Sequence, residues 1–286
     1  MQFDFGQNWS EFARVALTRE RVDRAQEEFA TLLAGVEFSN AAFLDIGFGQ
    51  GLTLLSAARR GARAVGCDIN PKCRSALATS ATWFPDVTVD AIPIIEGSIL
   101  DDATVKSLRA ASPNGDGRFD VVHSWGVLHH TGDMRSAIHN AASLVRPGGH
   151  FVLAIYNRHW SSPAWTAIKW FYCKSPRWLQ RAMIAAFAPV IWIAKLAVTG
   201  RNPARQERGM DFYYDVVDWV GGYPYEYASA DALRAQVEAL GFDCLRWRAA
   251  EVPTGCNEFV FIASGARSEP KASEVHQARG GMTPTR

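Results

Sequence analysis

An acid and three glycines follow the first apolar, strand-like segment of the sequence. Residues 44–51 read LDIGFGQG, and alternate glycines let the backbone turn tightly and let a ligand approach without meeting a Cβ. A helix predicted to begin here would direct unpaired N–H groups into the same loop. The spacing is GxGxG, because position 52 is leucine, whereas a dinucleotide site has GxGxxG. Since Asp45 would repel a pyrophosphate and attract an ammonium group, the loop predicts a site for a cationic, amino-acid-bearing ligand.

Groups suited to binding a nucleoside follow the next three predicted strands. The second strand ends at Asp68, where a carboxylate could accept hydrogen bonds from both ribose hydroxyls. The third ends near Ser98, whose hydroxyl and neighbouring amide could contact an adenine edge. The fourth runs into residues 123–130 (HSWGVLHH), which place small and polar groups beside the reacting centre. Because parallel strands end at one edge of a sheet, these groups should share one pocket.

Candidate proton-transfer groups occur in the fourth of these segments and in the later part of the chain. His129 and His130 are candidate bases, because imidazole titrates near neutral pH. A structural histidine bonded to the backbone is the alternative for either one. Tyr213 and Glu226 complete the predicted catalytic set.

Residues 208–227 are dense in aromatic and acidic side chains. Aromatic walls with a few acids suit a planar or cationic substrate, and the packing of a lid against the sheet is the alternative. The predicted substrate-binding residues are Trp125, Tyr156, Tyr213, Tyr214, Tyr225, Glu226 and Asn257.

The elements that would position these residues alternate regularly along the first half of the chain. Two helices are predicted first, at 8–17 and 19–35. Short strands, apolar on both faces, then alternate with helices, which predicts a doubly wound parallel sheet covered on both sides. The strands are 41–46, 62–67, 91–96, 119–124 and 150–156, and the helices are 51–60, 71–83, 101–111 and 133–145. A later helix at 229–240 precedes strands near 242–248 and 258–263, which a turn should join as an antiparallel edge pair.

These motifs resemble the class I S-adenosylmethionine-dependent methyltransferases over residues 41–156 and 229–263. LDIGFGQG is similar to their first motif, GCDINP to their acidic second-strand motif and EGSILD to their adenine-side motif. FDVVHSWGVLHH with LVRPGG is similar to their fourth-strand region. The resemblance implies a Rossmann-like, mostly parallel sheet of seven strands with the last one antiparallel, and S-adenosylmethionine as cofactor.

The resemblance also implies roles for individual residues. Asp45, Gly47 and Gly49 would face the methionine part of the cofactor, Asp68 the ribose, and Ser98 and Ile99 the adenine. Many relatives carry aspartate where this chain has Ser98. The predicted cofactor-binding set is Asp45, Gly47, Phe48, Gly49, Gly51, Asp68, Ile69, Ser98, Ile99, Ser124, Trp125 and His129. No metal site is predicted.

Residues 157–228 interrupt the alternation with six of the ten tryptophans and six of the seven tyrosines. A helical lid that forms the substrate site is the preferred interpretation. A membrane-surface helix over 182–199, rich in apolar residues and flanked by basic ones, is an alternative, as is a spanning helix. The segment could equally pair two subunits. The predicted organisation is N-terminal helices capping the cofactor site (1–40), a core (41–156), the insertion (157–228), the completion of the sheet (229–263) and a disordered tail (264–286).

Composition narrows the classes of function. A net charge of +1, from 30 basic and 29 acidic residues, argues against binding along a phosphate backbone, so a nucleic-acid partner is not expected. Five scattered cysteines in a chain with no signal-peptide pattern indicate reduced thiols and a cytoplasmic location. The VLHH segment is most similar to the methyltransferase branch that acts on quinones, sterols and other small molecules, and the NPPY-type tetrapeptide of nucleic-acid-methylating relatives is missing.

The expected reaction is therefore methyl transfer to a small hydrophobic or aromatic molecule, with oxygen favoured as the acceptor. A small thiol or amine is the chief alternative acceptor. A nicotinamide oxidoreductase would share the sheet but is opposed by the glycine spacing and Asp45. A non-catalytic binding or membrane-recruitment protein with the cofactor fold is the alternative from another class.

Overall fold

Seven strands form one sheet in the computed structural model, which describes residues 3–203 and 211–264. The strands are β1 (Ala42–Ile46), β2 (Arg63–Asp68), β3 (Ile94–Glu96), β4 (Phe119–Trp125), β5 (Val145–Tyr156), β6 (Phe242–Arg248) and β7 (Cys256–Ala263). Their order is β3-β2-β1-β4-β5-β7-β6, and β7 runs antiparallel to the other six strands. The mostly parallel, seven-stranded sheet with an antiparallel last strand is confirmed.

Ten α-helices are described. They are α1 (Phe5–Val15), α2 (Arg19–Leu32), α3 (Leu52–Arg59), α4 (Cys73–Ala81), α5 (Asp102–Ala111), α6 (Met134–Ala142), α7 (Ser162–Lys174), α8 (Arg177–Thr199), α9 (Phe212–Gly221) and α10 (Ala230–Glu238). Residues 208–210 of the aromatic and acidic stretch, and 265–286 of the predicted tail, lie outside the described residues.

The two carboxyl-terminal strands form the predicted antiparallel pair at one edge of the sheet. Within this pair β7 lies next to β5, and β6 is the outermost strand. The reason is that β7 is buried along most of its length and pairs with β5 from His150↔Ile262 to Tyr156↔Cys256. Its apolar residues on both faces are typical of an interior strand.

Two strand boundaries differ from the prediction. β5 begins at Val145, because Phe119 pairs with Val145 before a bulge shifts the register to Val121↔His150. Residues 146–149, between the predicted helix 133–145 and the predicted strand 150–156, therefore belong to the strand. β3 is shorter than predicted, since its start forms a 3-10 turn at Val89–Ala91.

Successive side chains of β1 enter two separate cores on opposite faces of the sheet. Leu44 packs in the core that contains Ile138 of α6. Phe43 packs in the other, with Phe29 of α2 and Leu55 of α3. All five residues of β1 are buried, so the sheet holds the end of this strand rigidly.

The insertion folds into α7, α8 and α9 around its own small apolar core, which includes Tyr172, Ile184, Ile191, Val216 and Val220. The predicted helical, aromatic-rich insertion after the fifth strand is confirmed. Helix α9 contacts α7, α8 and α1, so it joins the insertion to the N-terminal helices.

A buried lysine organises the aromatic residues of the insertion. Nζ of Lys169 lies 4.5 Å from the ring centroid of Trp219 and 4.7 Å from that of Tyr225, and it donates to the carbonyl oxygen of Trp219. Burial lowers the pKa of Lys169 to about 7 and raises the pKa of Asp218, on α9, to about 8. Oδ1 of Asp218 accepts a hydrogen bond from the side chain of Asn8 at 2.6 Å. The aromatic density of the insertion thus surrounds a cation that belongs to the chain itself.

Replacing Lys169 should separate the contribution of its packing to stability from the contribution of its charge. A pKa of about 8 leaves Asp218 mainly protonated at neutral pH, so removing the cation does not strand a full negative charge. We expect Lys169→Met to lower the free energy of unfolding by about 1 kcal/mol, and Lys169→Ala, which also leaves a cavity, by about 3 kcal/mol. Urea denaturation measures both, with the exposed Lys106→Met as control. Equal losses in the two Lys169 variants would contradict this account.

Candidate active site

A cavity of about 520 Å³ lies at the carboxyl ends of the central strands, beneath α1 and α2. Its volume is in the range of small-molecule and cofactor sites. Ten of the residues predicted for the site line it: Asp45, Gly47, Phe48, Gly49, Asp68, Ile69, Ser98, Ile99, Trp125 and His130. The ends of β1, β2 and β4 and the loop after β3 therefore converge on one space.

The glycine loop is held in a conformation that suits only glycine. Gly47 has φ +74° and Gly49 has φ +54°, and a Cβ on Gly47 would lie 2.4 Å from side-chain carbons of Val127. The Asp68 carboxylate fixes the loop, because Oδ2 accepts from the Gly49 N–H at 3.0 Å and Oδ1 from the Asn70 N–H at 2.9 Å. Each of these oxygens keeps a further lone pair for a hydroxyl donor.

Asp45 is the most deeply buried of the acids that line the cavity. It lies opposite His123 in the β1–β4 register, and its Oδ1 is 2.8 Å from Nδ1 of that histidine. The two side chains are 3% and 4% exposed. The other oxygen, Oδ2, is buried without a hydrogen-bond partner among the described residues. A buried carboxylate with one unpaired oxygen favours a cationic partner in the cavity.

These groups fit S-adenosylmethionine. Asp45 would hold its ammonium group and Asp68 its ribose hydroxyls, since the donors on the ligand match acceptors on the protein. Phe48 and Ile99 supply apolar walls, and Ser98 supplies the hydroxyl beside them.

Helix α1 covers the cavity; residues 1–40 were predicted to cap the cofactor site, but none of their side chains was named in it. Phe5 and Trp9 line the space, and the Trp9 indole lies directly over Gly49. The carboxylate of Asp4 holds the helix start, accepting from the Asn70 side chain at 2.8 Å and pairing with Lys72 at 3.1 Å. The sequence signal for this role was weak, because an apolar N-terminal helix more often serves packing.

His123 was also missed as a site residue. Its ring lines the cavity and stacks at 6.4 Å on Trp125 and at 6.1 Å on Phe43. A histidine within a strand is read from sequence as part of the core, and only the β1–β4 register shows that it faces Asp45.

The structure separates the two histidines that follow β4. His130 lines the cavity, and its Nδ1 donates to the carbonyl oxygen of Pro224 at 2.6 Å, which leaves Nε2 as the acceptor nitrogen. Burial lowers its pKa to about 3, so the ring is neutral at physiological pH. His129 does not line the cavity: it is fully buried, and its ring packs 4.1 Å from that of Tyr156. The expectation that His129 contacts the cofactor is therefore corrected.

Two further residues predicted to bind the cofactor lie beside the cavity and do not line it. Ser124 is fully buried and donates from its hydroxyl to the carbonyl oxygen of Ile46 at 3.0 Å, joining β4 to β1. Gly51 has φ +82° and precedes α3, and a Cβ there would lie 2.3 Å from Leu77. Both shape the loop without lining the space.

The residues predicted from the aromatic and acidic stretch lie away from the cavity. Tyr156 and Tyr225 pack around Lys169, Tyr214 packs on Phe12 at 5.7 Å, and Tyr213 is 56% exposed. None of them lines the cavity. The described part of 157–228 therefore contributes nothing to this lining, contrary to the expectation of a substrate-forming lid.

Glu226 and Asn257 form hydrogen bonds that hold the framework together outside the cavity. Oε2 of Glu226 accepts from the Met134 N–H at 3.0 Å, so this acid caps the first turn of α6, where a carboxylate is favoured. Asn257 accepts from the Ala250 N–H at 3.0 Å and donates to the Asn157 side chain at 3.1 Å. Neither residue lines the cavity, so both are corrected as site residues.

Comparison with known proteins identifies the family. A family model described as a methyltransferase domain matches residues 17–246. The chain belongs to the S-adenosylmethionine-dependent methyltransferases. The methyltransferase is 32% identical over 130 residues to a ubiquinone biosynthesis O-methyltransferase of Alkalilimnicola ehrlichii, which covers 46% of this chain and 47% of the relative. It thus spans just under half the length of that relative.

Solved structures share the fold of the methyltransferase at low sequence identity. An O-methyltransferase family protein from Burkholderia thailandensis has a TM-score of 0.52 at 17% identity, covering 86% of this chain and 57% of that one. A magnesium protoporphyrin IX methyltransferase from Synechocystis has a TM-score of 0.50 at 14% identity, covering 92% and 90%. At these identities the likeness concerns the fold alone.

Acid should destabilise the methyltransferase through its buried histidines. Between pH 6.5 and about 3 the unfolded chain binds a proton at His130 that the native state does not, so stability falls as the pH falls through this range. Each such histidine contributes about 1.4 kcal/mol per pH unit. Chemical denaturation at several pH values should show a shallower slope for His130→Gln than for the wild type. The exposed His139→Gln serves as control, and an unchanged slope in His130→Gln would contradict this assignment.

A Cβ on the glycine loop should block the cofactor. We expect Gly47→Ala to weaken the binding of S-adenosylhomocysteine by at least about tenfold, because the new methyl group would push Val127 from its place beside the cavity. Gly115→Ala is the matched control: its φ is +77°, so it carries the same backbone strain, but no atom lies within 4 Å of its Cβ. Calorimetric titration measures both. Equal weakening in the two variants would point to global strain and would contradict the local explanation.

Proposed function

We propose that this protein transfers a methyl group from S-adenosylmethionine to a small hydrophobic or aromatic molecule, with an oxygen atom as the acceptor. The single observation that carries the proposal is that Asp45, with one carboxylate oxygen unpaired among the described residues, lines a cavity whose glycine loop and Asp68 match the rest of the cofactor. The bound cofactor supplies an electrophilic methyl group on its sulfonium sulfur.

The protein's contribution is mainly orientation and exclusion of water. Asp45, Asp68 and the glycine loop fix the ligand at the strand ends, and α1 covers it with Phe5 and Trp9. Alignment of this kind can supply about 7–11 kcal/mol of barrier reduction. A general base adds roughly 10²–10⁴-fold.

The aromatic end of the cavity supports the choice of acceptor. The rings of Phe5 and His130 are tilted at 45° to one another with centroids 4.6 Å apart, and Trp125 lines the same space. Aromatic walls bury planar apolar molecules well. This replaces the tyrosines of the insertion as the proposed acceptor site.

His130 is the proposed proton acceptor. It is neutral and lines the cavity, and its hydrogen bond to Pro224 sets the tautomer in which Nε2 is the basic nitrogen. A base with so low a pKa is weak, so it suits a phenolic hydroxyl better than an alcohol. The ubiquinone biosynthesis O-methyltransferases at about 30% identity support oxygen as the acceptor atom. A small thiol or amine is the competing acceptor class. The proposed location is the cytoplasm, with a peripheral membrane contact as part of the same proposal.

Methyl transfer from labelled S-adenosylmethionine tests the proposal. We expect transfer to a catechol in preference to an aromatic thiol or amine of the same ring size. Asp45→Asn should weaken S-adenosylhomocysteine binding about tenfold to hundredfold, because a charge-assisted hydrogen bond is lost. The exposed Asp90→Asn is its control. His130→Gln should slow transfer to the catechol at least tenfold with near-normal cofactor affinity.

Three results would overturn parts of this account. Unchanged cofactor affinity in Asp45→Asn would remove the ammonium assignment. Faster transfer to the thiol, unaffected by His130→Gln, would replace the oxygen acceptor. Tight cofactor binding with no transfer to any acceptor in a cell extract would favour a non-catalytic binding protein.

A further inference from the structure

The outer faces of α7 and α8 form an exposed apolar surface. This α7–α8 face comprises Trp160, Trp170, Phe171, Trp178, Val190, Ile193, Leu196 and Val198, which are between 45% and 86% exposed. From residue 182 to 198 every exposed side chain is apolar. Contiguous apolar surface on this scale marks a contact with a partner or a membrane.

The charge of the same segment is strongly asymmetric. Residues 157–203 contain seven lysines and arginines and no aspartate or glutamate. The segment is thus at +7 in a chain of net charge +1, so the rest of the chain is at −6. This distribution favours an anionic surface as the partner and disfavours face-to-face pairing with the same basic segment of a second copy.

The exposed basic residues lie at the turn between the two helices, next to tryptophans. Lys174, Arg177 and Arg181 are exposed there, and none forms an ion pair with the described residues. Nζ of Lys174 lies 5.9 Å from the ring centroid of Trp170, and Trp178 is 70% exposed beside Arg177. Tryptophan with lysine and arginine is the combination that occupies the headgroup level of a bilayer.

Helix α8 is long and apolar enough to cross a membrane, with a mean hydropathy of 1.9 over 18 residues. Its inner face, however, is already packed on the protein. Ile184 and Ile191 are each 7% exposed, and Lys195 forms an ion pair with Asp215 of α9. Insertion across a bilayer would break these contacts, whereas docking by the outer face keeps them.

We propose that the α7–α8 face docks on the surface of an anionic lipid bilayer, with Trp170 and Trp178 at the headgroup level and the outer side of α8 against the acyl chains. Helix α9 links this face to α1 through the Asp218–Asn8 hydrogen bond, and α1 covers the cavity. The catalytic body is therefore fixed to the docked helices, near any acceptor dissolved in the bilayer.

Vesicle cosedimentation with the full chain tests the docking. The vesicles are phosphatidylcholine alone, or phosphatidylcholine with about a third phosphatidylglycerol. We expect binding to the anionic vesicles that falls with added salt. Arg177→Glu/Arg181→Glu should weaken it at least about 25-fold, because each cation beside an anionic surface contributes roughly a fivefold factor. Val190→Glu/Ile193→Glu should abolish it.

Matched variants control for fold and for nonspecific charge. Lys106→Glu/Arg135→Glu changes two exposed helical cations elsewhere, and Leu245→Glu adds an acid at another exposed apolar residue. Both should bind vesicles like the wild type. All variants should keep their affinity for S-adenosylhomocysteine, so failure of docking is distinguishable from failure of the proposed function.

Four results would overturn the docking. The first is that the protein does not bind vesicles, and the second is that the control variants lose vesicle binding equally. The third is that only detergent extracts the protein from membranes, which would indicate a spanning helix. The fourth is a dimer in sedimentation analysis that Val190→Glu/Ile193→Glu disperses, because the face would then be covered by a second copy.

Discussion

A buried carboxylate at the end of the central strand constrains the whole site. Asp45 cannot reach bulk water, and His123 satisfies only one of its oxygens. Leaving the other unpaired costs the free protein stability, which a cationic ligand restores on binding. The sheet fixes this arrangement, because β1 is buried throughout and its register sets Asp45 opposite His123. The glycine loop and Asp68 then have only to accommodate the remainder of a ligand that the carboxylate has already oriented.

The insertion also contains a buried charge that must be paired, and there the protein itself supplies the partners. Lys169 is as buried as Asp45, but aromatic faces and a backbone carbonyl contact its ammonium group, and Asp218 lies near enough to raise its pKa. One buried charge therefore belongs to a ligand site and the other to the framework. Helix α1 touches both, since Asn8 bonds Asp218 while Trp9 covers the glycine loop.

Local patterns predicted the fold well, and they predicted that the proposed cofactor-binding residues lie together. The LDIGFGQG loop, Asp68 and the strand–helix alternation depend on residues close together in sequence, and all reappear at one end of the sheet. The acceptor side was predicted poorly, because aromatic and acidic residues serve equally to line a pocket, to enclose a lysine or to cap a helix. The role of Tyr225 depends on Lys169, 56 residues earlier, and that of Glu226 on the start of α6. No local spacing carries such information, although a lysine inside the apolar run AWTAIKWFY hinted at it.

The interior position of β7 has a consequence for biosynthesis. The outer edge of β5 is wholly apolar from Phe151 to Ile155, and its partner strand begins about 100 residues later in the chain. At ribosomal rates of about 5–20 residues per second, the edge of β5 stays unpaired for roughly 5–20 seconds before β7 is synthesised. During the same interval the apolar helix α8 has already emerged from the ribosome. The nascent chain therefore exposes the unpaired edge of β5 and the apolar helix α8 at the same time. Chaperone protection matters most between the synthesis of β5 and the synthesis of β7.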